Sequence, residues 1–223
     1  MKTVFLVSGL KSSGKDTTCD ILHNILPECP HRVAFADKLK RIVSIIFDVP
    51  LEVVEGKTPE NRRIREEIIP YWSDYLSGIT TRKALTFLGT DVLREYVLDE
   101  IWGLSTAKNI IIRSSKYTIV SDLRDPHTEE KLFRDLLPSQ GFRVVSIRLV
   151  RETPEWWEHA KKAYHDNDKD SIDYLDAHDI HYSEWGQVGI TPDHIIYNET
   201  NENAIEALKN LEDKIREVVD KYI

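Results

Sequence analysis

Cysteine is almost absent: Cys19 and Cys29 are the two in a chain of 223 residues. Their separation matches neither a disulfide framework nor a Cys-x-x-Cys metal pair, which suits a reducing compartment. Cys19 shares one helical side with Leu22 and Leu26, so it reads as a small buried side chain. Long hydrophobic runs are missing as well, and none approaches the ~18 residues of a membrane span. Nor is there an excess of positive charge. Thirty Lys and Arg stand against 38 Asp and Glu, a net of -8, the wrong sign for a partner that is bulk nucleic acid. A small anionic ligand needs only a local cluster of donors. Met1 leads almost at once into a strand, with no basic leader or small-residue cleavage site, so a cytoplasmic location is expected.

What is present is a 41% apolar composition, enough to fill one core of ordinary size. Apolar residues of 3-TVFLVS-8 read as a strand, and 14–26 has helical spacing behind it. A second unit pairs the strand 32-RVAFA-36 with a helix from Asp37 to Phe47 whose Leu39, Ile42, Val43 and Ile46 face inward. Between 51 and 81 the pattern loosens into charges and prolines, with 62-RRIREE-67 as a solvated helix, an insertion over the core on the substrate side. Helical periodicity returns over 81–100. Strands follow at 117-YTIVS-121, 143-FRVVSIRLV-151 and 194-HIIYN-198, and an amphipathic helix carrying Leu208, Leu211, Ile215 and Val218 closes the chain. Five strands alternating with helices predict an α/β domain spanning 1–223, a parallel sheet covered on both faces. Residues 151–184 stand apart as a lid-like insertion, where Arg151, Lys161, Lys162 and Lys169 face ten carboxylates.

The chemistry concentrates in 8-SGLKSSGKDTT-18, which approaches the phosphate-loop pattern GxxxxGK[ST] but places Asp16 where a hydroxyl is usual. Successive backbone N–H groups from Gly9 to Gly14, with the positive end of the next helix, form a concave anion site, and Lys15 adds a full charge for outer phosphates. The context, an apolar strand before and an amphipathic helix after, is what that mechanism requires. Asp16 sits favourably at a helix N-terminus in its own right. As an oxygen ligand it also suits Mg²⁺, directly or through water, while Thr17 offers its hydroxyl to an inner phosphate. Lys15 and a triphosphate such as ATP are thus the first functional expectation.

Other users of such loops are set aside by absences: there is no DxxG or NKxD motif of a GTPase, and no apolar run ending in paired acids as in motors. Basic and polar residues instead cluster at predicted strand ends, where open α/β sheets bind ligands. Histidines and carboxylates alternate in 176-DAHDIHYSE-184, but no third or fourth ligand of matching type is set by spacing, so a zinc site is not expected there.

Together, 8-SGLKSSGKDTT-18, 35-FADKLK-40, 82-RKALTFLGTDVLRE-95, 101-IW-102, 119-IVSDLRD-125 and 178-HDIHYSE-184 resemble the deoxynucleoside monophosphate kinases of tailed bacteriophages, over nearly the whole chain. The resemblance implies a P-loop kinase fold, a host-cytoplasmic setting and transfer of the ATP γ-phosphoryl group, with Mg²⁺, to a deoxynucleoside monophosphate. It also implies that Asp16 is the family's own form of the loop. Lys11, Ser13, Gly14, Lys15, Asp16 and Thr17 would contact ATP. Leu39, Lys40, Arg82, Lys83, Gly89, Thr90, Trp102 and Asp122 would surround the acceptor, together with an arginine for which the chain offers Arg62, Arg63 and Arg65, Arg62 being the one taken. A guanidinium such as Arg82 suits the acceptor's 5′-phosphate, Trp102 offers a flat face, and Asp122 can accept from a hydroxyl or base. Arg124 and Arg151 are candidates to neutralise charge on the transferring group, and Lys15, Arg82 and Arg124 form the expected catalytic set. The chain departs from the family pattern at Thr128, where a glutamate is usual; Glu129 and Glu130 follow it. Animal phosphomevalonate kinases resemble the chain in the GKD loop, the SDxR strand end and the SE-containing tail. A regulatory nucleotide-binding protein without turnover is the reading from another class. Expected partners are small-molecule nucleotides, with a homodimer compatible and neither a nucleic acid polymer nor a membrane.

Overall fold

The computed structural model describes residues 1–199 and 203–223. β1 (Lys2–Gly9) is buried from Thr3 onward, as a strand covered on both faces must be. α1 (Lys15–Ile25) turns Thr18, Cys19, Ile21 and Leu22 inward. β2 is only His31–Val33, shorter than the 32–36 expected, because Phe35 and Ala36 already form the turn into α2 (Asp37–Phe47). On α2 the buried positions are Leu39, Val43 and Phe47, four apart; Ile46, expected inside, is exposed.

The loosely patterned stretch folds into short helices: α3 (Leu51–Glu55), α4 (Pro59–Arg65) and α5 (Pro70–Ser73). α4 buries none of its residues and starts at Thr58, whose hydroxyl accepts from Asn61 N, a standard N-cap. The helix expected over 81–100 is not continuous. It consists of α6 (Thr81–Thr86), a π-helical turn (Phe87–Val92) and α7 (Leu93–Tyr96). The break centres on Gly89. A Cβ there would stand 2.5 Å from Leu39 Cδ2, and the Gly89 carbonyl accepts from Trp102 Nε1 at 3.0 Å. Side-chain packing against the helix backbone and a competing donor are recognised causes of such irregularity.

α8 (Ile101–Arg113) leads to β3 (Tyr117–Leu123), followed by a second π-helical turn (Pro126–Lys131), α9 (Leu132–Leu136) and β4 (Phe142–Val150). Then come α10 (Trp157–Asp166), α11 (Lys169–Ala177) and α12 (Tyr182–Trp185), a 3-10 turn (Gly186–Gly189), β5 (His194–Tyr197) and α13 (Ala204–Val219). The five strands form one parallel sheet in the order β2-β3-β1-β4-β5. β1 is central. Its end is level with those of its neighbours, Ser8 beside Leu123 of β3 and Gly9 beside Leu149 of β4. The loops after β1, β3 and β4 therefore emerge together, at the point where strand order reverses and such sheets hold ligands.

The chain divides into two compact units. One comprises 1–34 and 105–223, with the sheet, and the other 35–104. In the first, Phe5 and Val7 of β1 join Ile119, Val145, Ile147 and Leu149 with Cys19 and Leu22 of α1 and Leu211 and Ile215 of α13. A satellite cluster of Ala160, Ala163 and Leu175, with Trp156 and Trp185 against it, gives 156–188 its own small core. The second unit is built on Leu39, Val43, Phe47, Val54, Ile79 and Ala84. None of the helices among the described residues is long and apolar enough to cross a membrane.

Burial separates two isoleucines of the same size. Ile147→Ala, in the middle of β4, should cost about 2–5 kcal/mol of stability by cavity formation, whereas Ile45→Ala on the solvent side of α2 should stay within about 0.5 kcal/mol. Urea unfolding of the two variants measures the contrast.

Candidate functional site

The loop between β1 and α1 is shaped by backbone conformations that few side chains adopt. Gly14, which caps α1, has φ 100, and Ser12 has φ 64. A Cβ at Gly14 would meet Asn198 Nδ2 at 2.4 Å and lie 3.7 Å from the Arg151 guanidinium. Here glycine is needed both for the left-handed turn and for the close approach. Inside the loop Ser13 N donates to Leu10 O at 3.2 Å, and Thr18 N closes the first helical turn on Gly14 O at 2.9 Å. Two side chains distant in sequence hold its ends. Gln187 Oε1 accepts from Gly9 N at 3.2 Å, and Asn198 Nδ2 donates to Ser13 O at 2.8 Å. Both are buried.

Within this frame the hydroxyl of Ser13 is buried without a hydrogen-bond partner, an unmet group of the kind a bound ligand satisfies. Lys15 Nζ donates to Gly9 O at 2.6 Å and Leu10 O at 2.7 Å, so its ammonium folds back on the carbonyls of its own loop. Burial, reinforced by the Arg124 guanidinium, holds Lys15 below the ordinary lysine range, while Glu184 and Asp16 act in the opposite direction. Asp16 is 94% exposed, 3.3 Å from Arg32 NH2, so its carboxylate faces solvent at the start of α1. Lys11 and Thr17 are exposed too. An unmet hydroxyl, a loop of N–H groups at the start of an 11-residue helix, one ammonium and one exposed carboxylate paired with Arg32 fit a phosphate chain with a hydrated Mg²⁺.

At the end of β3, Arg124 pairs with Glu184 at 3.6 Å, both about half exposed. Its backbone is set by Glu129, whose Oε2 accepts from Arg124 N at 2.8 Å and Asp125 N at 3.1 Å. Asp125 in turn accepts from His127 N and Thr128 N and caps the turn. Thr128 stands where the family pattern has a glutamate, and the acid next to it, Glu129, is a backbone clamp. Burial first, and then the neighbouring Asp122 carboxylate, push the Glu129 carboxyl up to about 8.

The expected acceptor residues other than Asp122 belong to the second unit. Leu39, Gly89 and Trp102 are brought together by the packing and hydrogen bond described above, and Trp102 also packs on that unit's core. Arg82 is exposed, with Nε 3.8 Å from Glu66. Lys83 Nζ donates to Gly78 O at 3.0 Å. Arg62 donates to Gly56 O at 3.0 Å and Lys57 O at 3.3 Å, which ties it to the end of α3. Lys40 is half-buried and Thr90 exposed. Of the neighbouring arginines, Arg63 is engaged by Glu60 and Glu67. Arg65 lies against Gly56 with its Nε buried and unpaired.

In 176–184 the rings stack rather than converge. His178 lies 4.1 Å from Tyr174, whose ring stacks at 3.9 Å on His159. No group of three or more His, Cys, Asp or Glu suited to a metal gathers among the described residues. Cys19 and Cys29 are both free thiols, the first buried, and burial pushes Cys19 up to about 12. It has no reactive role at neutral pH.

Glu129 makes a pH-dependent prediction. Its folded carboxyl titrates near 8 against an unfolded value of 4.5, so the native state binds the extra proton between those limits and loses stability as pH rises through them. Glu129→Gln, which keeps an acceptor oxygen, should be more stable than the parent chain by at least about 1 kcal/mol at pH 9. The gap should close toward pH 5, as measured by urea midpoints across that range.

No family model matches the chain, and no curated protein matches it. Among solved structures it is similar to a candidate kinase from Chloroflexus aurantiacus j-10-fl, at 13% identity and a TM-score of 0.46, over 100% of this chain and 98% of that one. A likeness of that strength adds nothing to the site, whose reading rests on the geometry above.

Proposed function

We propose that the chain is an ATP-dependent phosphotransferase acting on a small phosphorylated acceptor, and that the acceptor is a deoxynucleoside monophosphate. The observation that carries the donor half is the strained loop after β1, with the unmet Ser13 hydroxyl and the Lys15 ammonium parked on its own loop carbonyls. Such an ammonium is free to turn outward when a better anion arrives.

In this reading the loop N–H groups and Ser13 bind the donor's phosphate chain, Lys15 moves to its outer oxygens, Thr17 offers its hydroxyl to an inner phosphate, and Asp16 would hold the hydrated ion. Mg²⁺, when bound, shields the phosphate charge. Arg124 and Arg151 stand near the loop to neutralise charge that develops on the transferring group, which is the main demand of phosphoryl transfer. Arg82, exposed and 3.8 Å from its carboxylate partner Glu66, suits the acceptor's phosphate, and Asp122 suits one of its hydroxyls. Leu39, Lys40, Lys83, Gly89, Thr90 and Trp102 make up the remaining acceptor side.

One observation favours the second reading, a phosphate ester without a base. Trp102 spends its N–H on Gly89 O and its ring on the core of the second unit, which leaves less of it for stacking on a nucleobase.

Three measurements test the proposal. An ADP-release assay with ATP and a panel of dNMPs, NMPs and phosphomevalonate should show turnover with at least one dNMP; turnover with phosphomevalonate alone would replace the acceptor, and none at all would remove the activity. Lys15→Ala should lower turnover by at least about a thousandfold while leaving the circular dichroism spectrum and melting unchanged. Arg82→Ala should raise the acceptor KM tenfold or more, roughly the worth of one charge-assisted hydrogen bond, with the KM for ATP nearly constant.

A further inference from the structure

The segment 178-HDIHYSE-184 carries part of the family resemblance but none of the expected site residues. In the structure its last residue reaches the donor loop by two routes. The first is through the backbone. Gln187, in the 3-10 turn that follows α12, accepts from Gly9 N with Oε1 at 3.2 Å and donates from Nε2 to Glu184 O at 3.2 Å. Its own carbonyl accepts from Arg148, which also donates to Ile190 O at 3.0 Å. Gln187 is thus held at both its side chain and its backbone, and it hangs Glu184 from the end of β1. The second route is the Glu184 carboxylate itself, 3.6 Å from Arg124 NH1.

The two routes do different work. Because Gln187 already anchors the Glu184 backbone, the carboxylate is not needed to keep α12 in place. What it does is electrostatic. Arg124 and the Lys15 ammonium repel each other, and the Glu184 carboxylate acts on Lys15 in the opposite direction. The Arg124–Glu184 pair is half exposed on both sides, in the range where ion pairs are weak and readily exchanged. A triphosphate carries several negative charges into the same place, so it competes with Glu184 for the same cations.

We propose that Glu184 is a positioning residue, the resident counter-ion of Arg124, and that the donor's terminal phosphates displace it from the guanidinium. The proposal rests on the phosphate-loop reading above. It assigns 182–187 to the donor site, Gln187 as the fixed brace and Glu184 as the exchangeable charge. No bond is made or broken in the exchange. One ionic partner of Arg124 is traded for another, and the freed carboxylate is left to solvent.

Isothermal titration of inorganic triphosphate and of a non-hydrolysable ATP analogue into the full chain tests this without relying on turnover. Glu184→Gln, which keeps the shape and removes the charge, should bind both about threefold tighter or better. In an Arg124→Ala background the same change should give less than half of that gain, since the carboxylate no longer occupies a cation that the ligand needs. Glu184→Ala should act like Glu184→Gln, and both should melt close to the parent chain. Unchanged or weaker binding in the two Glu184 variants would overturn the proposal, as would an equal gain in the presence and absence of Arg124. If the unmodified chain binds neither ligand, the phosphate-loop reading falls and takes this proposal with it; if it binds both and the variants do not differ, only the role of Glu184 falls.

Discussion

The Lys15 ammonium and the Arg124 guanidinium repel each other, and protein oxygens meet both cations. Lys15 is drawn onto the carbonyls of Gly9 and Leu10, and Arg124 is faced by Glu184. The backbone that carries Arg124 is clamped by Glu129. Under the proposed transfer, the contacts of Lys15 and Arg124 are ones that a polyanion would replace, while the Glu129 clamp stays.

The bracing groups are neutral amides rather than charges. Gln187 and Asn198 hold the two ends of the loop through Gly9 N and Ser13 O. A neutral brace takes up the Gly9 N–H but adds no negative charge to the loop, so it leaves the Lys15 ammonium unneutralised. The long acidic segment between β4 and β5 also takes on a physical purpose. Its helices pack on a small core of their own, and the turn after them carries Gln187 into the loop.

In the second unit the arginines differ sharply in how far they are already committed. Arg62 caps α3, Arg63 is held by two glutamates, and among the described residues the ion pair of Arg82 is with Glu66 at 3.8 Å. The most loosely held and exposed of these cations gives up its partner at the least cost to an incoming anion. This ranking separates residues that look alike in the run 62-RRIREE-67, and it gives Arg82 the stronger claim as an acceptor residue under the proposed transfer.

The five strands, the glycine loop and the helix behind it were all legible in the amino-acid order, since apolar periodicity and glycine spacing are local signals. So was burial of Cys19, from its place beside Leu22. The break at Gly89 was not, because it arises from Leu39 and Trp102 pressing on one helical turn, and periodicity cannot register a neighbour. Nor were the braces: Gln187 and Gly9 are 178 positions apart, and Asn198 and Ser13 are 185 apart. Glu129 was noticed only as a displaced acid, and its clamp on Arg124 depends on how the second π-helical turn winds. Sequence alone therefore determined which residues can carry charge and where a phosphate loop can form, since both follow from residue type and near neighbours. Which of those charges are spent, which are free and what holds the loop open was decided by tertiary structure, because strand order sets which distant side chains meet at one sheet edge.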